Sequence, residues 1–429
     1  MAGKWEDWKY LVLVCGAIVV VGWAVASSWR TINTVPAVEI PKPKMPSPNA
    51  YSYYSKAGQA MRRGREIELV VRAGTPAANR TSDRAYSLAE KEALVKANSA
   101  ALATLRQGFR HRCLAPPTRS ITDERPEYVW FRRLAELLVL EGQVKEGRDD
   151  WGGAAESYMD AMRMGADLMR GAALMGRYQG ANRQSRGRLA MWSVVDRLDA
   201  QQARAAARRM EDIIARRVPP ADTLQEEKWF GEAALMEMFQ GKLKDKTGRL
   251  VGRMPDYQKR RAIEVYSRQV DRAIADVRLP YPKSTVRTID FRPSRNPFTR
   301  LPEVLAAILL PVYHGPFRFA YHDAQNALLT VSLALRAYYL EHRAYPASLA
   351  GLAPSYLKRI PDDPFALAGP PRYRRAGATY LLYSIGPNSK DDGGTPVYPA
   401  PKVRRPVPKA PYYVEVDSKG DIVAGVNIQ

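Results

Sequence analysis

Apolar residues recur at helical spacing through most of the chain, from residue 50 to about residue 279. In one such segment Leu94 and Leu105 fall on a single face, as expected for a helix that packs against a core. The start of that segment has a capping-box pattern, because Ser87 stands three residues before Glu90. The pattern predicts a mainly helical chain.

A second capping-box pattern, Thr223 with Glu226, predicts a helix start ahead of Trp229. Glu226 and the adjacent Glu227 are also a candidate carboxylate pair. Adjacent residues on a helix point in different directions, so the two carboxylates are unlikely partners for one substrate. We interpret Glu226 as a capping residue.

The segment 135–164 predicts a helical hairpin with a tight crossing. Its Gly142, Ala154, Tyr158 and Ala161 occupy the small and aromatic positions that let two antiparallel helices pack closely. In these positions it resembles a tetratricopeptide repeat, and its neighbours match only vaguely. The resemblance implies an irregular stack of helical hairpins that binds a protein partner, the alternative being a scaffold without a ligand.

Towards the C-terminus the pattern changes. An amphipathic helix from about residue 327 breaks at Tyr345-Pro346, and a turn follows at Asp363-Pro364. Two short strands, RYRR and YLLYS, precede the loop GPNSKDDGG. This order resembles the soluble domain of the type II secretion major pseudopilin and of related type IV pilin-like proteins. The resemblance implies a small α+β domain with an antiparallel sheet, and it specifies no activity.

The resemblance also implies a candidate metal site. In the major pseudopilins the corresponding loop binds calcium, and here Asn388, Asp391 and Asp392 match its side chains. Calcium takes six to eight hard oxygen ligands, of which an Asp/Asn/Gly loop supplies several. The alternative is a loop without metal, since Lys390 adds a positive charge. Alternating residues over 412–423 further predict a C-terminal hairpin that adds strands to the sheet.

The hydrophobic stem that begins a pilin has only a short counterpart here. The run VLAAILLPVY over residues 304–313 is shorter than the about 20 apolar residues that span a bilayer. The resemblance therefore points to a pseudopilin-like module attached to another protein.

The N-terminus carries an uncharged apolar run over residues 10–26, flanked by tryptophans such as Trp8 and Trp29. Interfacial aromatics are typical of a transmembrane helix, which predicts a single-pass anchor over 10–29. The alternative is a signal peptide cleaved near Ala26, after which the protein is secreted. Both interpretations place the bulk of the chain outside the cytoplasm, behind a proline-rich linker over 30–50.

The formal net charge is +22, which favours anionic partners such as lipid headgroups or acidic polymers. The alternative is that these charges lie on solvated helix faces, because acidic residues are interspersed with them. We expect no specific nucleic-acid partner, since no recognition motif is present.

We find no catalytic motif in the sequence. The four histidines have none of the spacings of metal sites, and we expect each at the surface or at a helix cap. They are His111, His314, His322 and His342. The sequence predicts no cofactor other than calcium.

The predicted organisation has six parts. They are a cytoplasmic N-terminus (1–9), the anchor (10–29), the linker (30–50), a helical repeat-like domain (51–290), the pseudopilin-like domain (291–400), and a basic linker with a hairpin (401–429). The favoured function is a non-enzymatic, membrane-anchored envelope scaffold or accessory component, and the pseudopilin resemblance implies a link to a secretion or pilus-like system. The alternatives are an envelope hydrolase or polysaccharide-active protein with an unrecognised site, and a binder of anionic polymers.

Overall fold

The computed structural model describes residues 19–23, 27, 34–73, 86–243, 246–285, 296–309, 315–398 and 413–428. These residues are mainly helical and carry one small antiparallel sheet, which confirms the predicted fold class at this level. The helices are α1 (Ala50–Gln59), α2 (Gly64–Ala73), α3 (Leu88–Ala97), α4 (Ser99–Gly108), α5 (Glu127–Glu146), α6 (Trp151–Leu168), α7 (Leu174–Val194), α8 (Ala200–Ala215), α9 (Pro220–Phe239), α10 (Lys246–Gly252), α11 (Asp256–Asp276), α12 (Pro297–Leu309) and α13 (Gly315–His342).

Most of the predicted transmembrane segment lies outside the described residues. Of residues 10–29, the structure describes 19–23 and 27. Residues 19–23 are helical, and their large apolar side chains are 61–73% exposed. Among the described helices, none combines the length and the apolar character that a bilayer crossing requires.

One of the two predicted helix starts is confirmed. Ser87 caps α3, because its hydroxyl accepts the Glu90 N–H and the Glu90 carboxylate accepts the Ser87 N–H. The start predicted at Thr223 is wrong, since α9 already begins at Pro220. Proline fits the first turn of a helix because its missing N–H has no partner there.

The α5–α6 hairpin crosses closely at Gly142, as predicted. A Cβ added to Gly142 would lie 2.1 Å from Cε1 of Tyr158, so only glycine fits against that ring. Ala154 is fully buried, and Asp150 caps α6 by accepting the Gly153 N–H at 2.9 Å. The small residues therefore set the distance between the two helices.

Charged side chains also join this hairpin to its neighbours. Arg106 Nη2 lies 2.5 Å from Glu141 Oε2, and Arg106 Nε lies 2.8 Å from Asp160 Oδ2. Arg209 pairs with the other oxygen of Asp160. We call these four residues the hairpin network, in which every arginine meets a carboxylate.

Helix α13 is the centre of the fold. The predicted amphipathic helix is wrong in this respect, because every residue from 324 to 335 is buried. The helix also begins at Gly315, well before the predicted start. A helix that is buried on all sides needs apolar residues around its whole circumference, and Leu328, Leu329 and Ala334 lie on three different sides of it.

Two cores meet at α7 and α13. The first core contains α1 to α6, α8, most of α13 and the sheet region. The second contains α9, α11 and α12, and it is reached by Leu174 of α7 and Phe319 of α13. The contact between α7 and α13 therefore lies where the two cores adjoin.

The sheet has the order β1-β2-β3, with β1 (Arg372–Ala376), β2 (Thr379–Ser384) and β3 (Ile422–Val423). Both pairings are antiparallel. The C-terminal segment thus adds one strand to the sheet, but the predicted hairpin is wrong. Residues 413–420 lie outside any strand, and Val414 is buried in the first core from an irregular segment.

Candidate functional site

The structure brings Asn388, Asp391 and Asp392 together in the loop after β2. Asn388 Nδ2 donates to Asp392 Oδ2 at 2.7 Å, and the same oxygen accepts the Gly420 N–H at 3.1 Å. The predicted residues therefore form one cluster, in which the Asn388 amide already bonds to a carboxylate.

Asp391 faces the sheet. Its Oδ1 accepts the Tyr383 hydroxyl at 2.9 Å and the Gly393 N–H at 3.0 Å, while Arg372 Nε lies 3.3 Å from Oδ2. Burial raises the pKa of Asp391, but these donors together lower the pKa by more, so it lies below its usual value. Asp391 therefore stays ionised under neutral conditions.

Sequence reasoning missed a third carboxylate at this loop. Asp421 is fully buried, and it accepts the N–H groups of Asp392 at 3.3 Å and Gly394 at 2.7 Å. Burial is the main cause that raises its pKa to about 6, and Asp392 and Asp391 raise it as well. The pairing of β3 with β2 brings it here, so the strand pattern around residue 422 was the available signal.

Metal binding at this loop stays a prediction. The carboxylates of Asp391, Asp392 and Asp421 are the oxygens that a hard cation such as calcium would use. Within the described ranges, no group of three or more His, Cys, Asp or Glu side chains has the arrangement of a metal site. Calcium would therefore have to replace some of the N–H donors that now hold these carboxylates.

A different carboxylate holds the predicted Asp-Pro turn. Asp363 is 3% exposed and accepts the N–H groups of Phe365 and Ile385, each at 3.0 Å. The Ser384 hydroxyl donates to it at 2.6 Å. These three bonds fasten the turn to the end of β2, so Asp363 has a structural role.

The most unusual polar cluster lies between α7 and α13. Gln184 Oε1 lies 2.8 Å from His322 Nε2, and Arg188 Nη1 donates to Asn326 Oδ1 at 3.0 Å. The Arg177 guanidinium stacks over the ring of Phe319 at 4.4 Å. We call these six residues the α7–α13 seam.

His322 corrects the expectation that every histidine lies at the surface or at a cap. Burial lowers the pKa of His322 well below its usual value, and Arg188, Arg177 and Arg217 lower it further. The imidazole is therefore neutral at physiological pH. Its side chain is half-buried against Gln184 of α7, in a position that no sequence spacing marked.

Two other histidines have aromatic neighbours, and one lies outside the described residues. His111 stacks on Tyr53 with ring centroids 5.0 Å apart, and His342 lies 4.2 Å from the Tyr338 ring. His314 is the one that falls outside the described residues. The three histidines that the structure describes thus do not come together as a set of metal ligands.

The arginines of the seam lack carboxylate partners. Arg177 and Arg188 are 4% and 1% exposed, and in the described part of the chain neither forms an ion pair. Arg217 does pair with Asp323, at 2.7 Å between Nε and Oδ2. Burial lowers the pKa of Arg177 and of Arg188 to about 10, so both remain charged.

Two cavities adjoin the seam. A small cavity of about 230 Å³ contacts Arg177, Gln184, His322 and Asn326. A larger cavity of about 820 Å³ contacts Arg177, Arg188 and His322 from another side. We call the larger one the aromatic cavity, because it is also lined by Tyr178, Phe317, Phe319, Tyr321 and Tyr413.

The two adjacent glutamates of α9 point to different partners, as predicted. Glu226 pairs with Arg119 at 2.8 Å. Glu227 is 3% exposed and accepts the N–H of Leu174, the first residue of α7, at 2.9 Å. Burial raises the pKa of Glu227 to about 7. Glu226 is therefore an ion-pair residue and not a cap, while Glu227 caps a neighbouring helix.

Comparisons with known proteins add no name to this geometry, since no family model, curated protein or solved structure matches the chain.

Proposed function

We propose that the chain is a non-enzymatic, membrane-anchored scaffold or accessory protein of the cell envelope, linked to a secretion or pilus-like machine. The observation that carries this proposal is the order of elements from Gly315 onward. A long helix is followed by a short 3-10 turn at Leu349–Leu352, the Asp-Pro turn, the β1–β2 hairpin and the Asp/Gly loop. This order supports the resemblance to a pseudopilin.

Contacts between this C-terminal module and the helical stack support a scaffold role. Arg204 of α8 donates to both oxygens of Glu341, at 2.6 and 2.8 Å, and to the carbonyl of Ser355 at 2.8 Å. Arg336 Nε donates to the Leu198 carbonyl at 3.1 Å. These contacts fix the C-terminal module relative to the helical stack, and a scaffold requires such a fixed arrangement of its parts.

The membrane part of the proposal is supported by the apolar residues near the N-terminus. Val19, Val20, Val21 and Trp23 are 61–73% exposed, and large apolar side chains in a row are a surface that lipid would cover. The linker over 34–48, whose Val35 and Val38 pack against the second core, would then join the folded part to the bilayer.

Proximity labelling in native cells tests the proposal. A labelling enzyme fused after Gln429 should mark envelope proteins, including components of a secretion or pilus-like system. The matched control carries the same enzyme after residue 50, so that the anchor and linker are present without the folded part. Envelope partners that are marked by the full chain and not by the control support a scaffold.

Labelling of cytoplasmic proteins by the C-terminal fusion would contradict the topology. Identical labelling by the full chain and by the control would contradict the scaffold role. The protein partner is expected on the helical stack, so charge reversal at exposed arginines there should remove individual labelled proteins.

A further inference from the structure

We propose that the aromatic cavity is a binding site for an aromatic carboxylate, held by the arginines of the α7–α13 seam. This inference goes beyond the scaffold role and does not depend on it. The volume of about 820 Å³ falls within the range of about 300–1,000 Å³ that is typical of pockets for small organic ligands.

Charge gives the first argument. The acceptors around Arg177 are the Val218 carbonyl and the Thr223 hydroxyl, both at 2.9 Å. Arg188 donates to Asn326 and, at 2.9 Å, to the Ser185 hydroxyl. All four partners are neutral. A buried charge without an opposite charge is unfavourable, so an anion in the cavity would stabilise both guanidiniums.

An unused donor gives the second argument. Arg188 is the largest fully buried side chain, and its Nε has no hydrogen-bond acceptor. Five other arginine Nε atoms in the described chain also lack an acceptor, but Arg188 is the one of these arginines that lines the aromatic cavity. A carboxylate fits because the guanidinium offers two parallel N–H donors to its two oxygens.

The carboxylates of the protein do not serve this purpose. Glu415 and Asp417 line the same cavity, yet in the described chain neither pairs with Arg177 or Arg188. Asp323 is close enough to raise the pKa of both arginines, but its own ion pair is with Arg217. Among the residues that the structure describes, no carboxylate therefore forms an ion pair with Arg177 or Arg188.

The lining of the cavity defines the rest of the ligand. Phe317 and Tyr321 stack with centroids 5.8 Å apart, and Arg177 covers the Phe319 ring. Rings that form a wall beside a cation suit a flat apolar body with one anionic group. A free phosphate would use the charge without the rings.

Binding of benzoate to the full chain in detergent tests the proposal, with calorimetry and thermal melting as readouts. Benzamide is the neutral probe of the same shape, and inorganic phosphate is the anion without a ring. We expect saturable benzoate binding, at least tenfold tighter than that of benzamide or phosphate.

Two substitutions on α7 make the test specific. Arg188→Met removes one of the two seam arginines that line the cavity, and Arg183→Met is the matched control. Arg183 is also buried, at 6% exposed, with an Nε that lacks an acceptor, but it lines neither cavity. We expect benzoate to bind Arg188→Met at least tenfold more weakly and to bind Arg183→Met as it binds the native protein.

A third variant covers the case in which Arg188→Met does not fold. Ala181→Phe fills the cavity from its wall and leaves both arginines in place. It should abolish benzoate binding. Three results would each overturn the proposal: no saturable benzoate binding to the native chain, equal binding of benzoate and benzamide or of benzoate and phosphate, or equal loss of binding in Arg183→Met and Arg188→Met.

Discussion

Arginines meet carboxylates in the hairpin network, where they are half-buried, but not in the α7–α13 seam, where they are fully buried. In the network Arg106 bonds to Glu141 and Asp160, so each charge is balanced within the fold. In the seam Arg177 and Arg188 are more deeply buried, yet their partners are carbonyl, amide and hydroxyl oxygens. The pairing in the hairpin network needs no explanation beyond the stability of the fold. The arrangement in the seam leaves a charge that an outside partner would balance.

Removal of one arginine from each region tests this difference directly. Arg106→Met leaves Glu141, whose side chain is 11% exposed, without its arginine, and leaves Asp160 with Arg209 alone. We expect a loss of about 2–3 kcal/mol in the free energy of unfolding, somewhat below the about 3–5 kcal/mol of a fully buried pair. Arg188→Met should cost less, because it leaves no carboxylate without its ion pair and deprives only the neutral acceptors Asn326 and Ser185 of a donor. Urea unfolding of both variants measures the two effects, and equal losses would contradict the distinction.

The mirror case is Glu227, a buried carboxyl without a cation. Folding raises its pKa from about 4.5 to about 7, so the folded state holds this proton more tightly than the unfolded state. The contribution of this proton to the stability is therefore fully present below about pH 4 and is lost as the pH rises to about 7. The loss amounts to about 3 kcal/mol. Glu227→Gln keeps an acceptor for Leu174, so it should remove this loss and stabilise the protein by about 2 kcal/mol at pH 8.

Unfolding at pH 5 and pH 8 gives the measurement for Glu227. Glu226→Gln is the control, because the Glu226 carboxylate is adjacent in sequence but pairs with Arg119. If the free energy of unfolding changed with pH by the same amount in the native protein and in Glu227→Gln, the assignment of this proton to Glu227 would be contradicted.

The packing of the hairpin is the next test. Ala154 is fully buried in α6, so Ala154→Leu should overpack the helix crossing and lower the free energy of unfolding by about 1–3 kcal/mol. Glu156→Leu on the same helix is the control, because its side chain is exposed. An unchanged melting temperature for Ala154→Leu would show that the crossing has room.

The smallest expected effect belongs to the Asp/Gly loop. For calcium that binds with a dissociation constant of about 1 mM, about 5 mM calcium stabilises the folded state by about 1 kcal/mol. Magnesium should do less, because it gives up its water reluctantly. Melting of the full chain in calcium, magnesium or chelator measures this. The double variant Asp391→Ala, Asp392→Ala should show no difference, and identical melting of the native chain in calcium and chelator would remove the metal prediction.

Local patterns predicted local features well. The Ser87 cap depends on residues three apart, and the close approach at Gly142 is set within one hairpin. The seam could not be predicted in this way, because Arg188 and Asn326 are 138 residues apart. Periodicity reports the faces of one helix, and it cannot tell which distant helix covers them.

The same limit explains two errors at the C-terminal module. Polar residues of α13 such as Gln325 and Asn326 are buried because partners from other elements accept or donate their hydrogen bonds, which the pattern of one helix does not show. Asp421 was missed because β-pairing, which sequence spacing does not specify, carries it back to the loop. Predictions from the sequence were thus most accurate where the determining contacts are short in range.

The burial of α13 has a consequence for how the molecule comes apart. Its side chains Leu328, Val331 and Leu335 share one core with α5 and α6, so excision of the C-terminal module would expose that face on both pieces. The chain from α1 onward should therefore lose its structure in a single cooperative transition. A protease that cuts before Gly315 should release no stable fragment, although the chain order suggests two separable units.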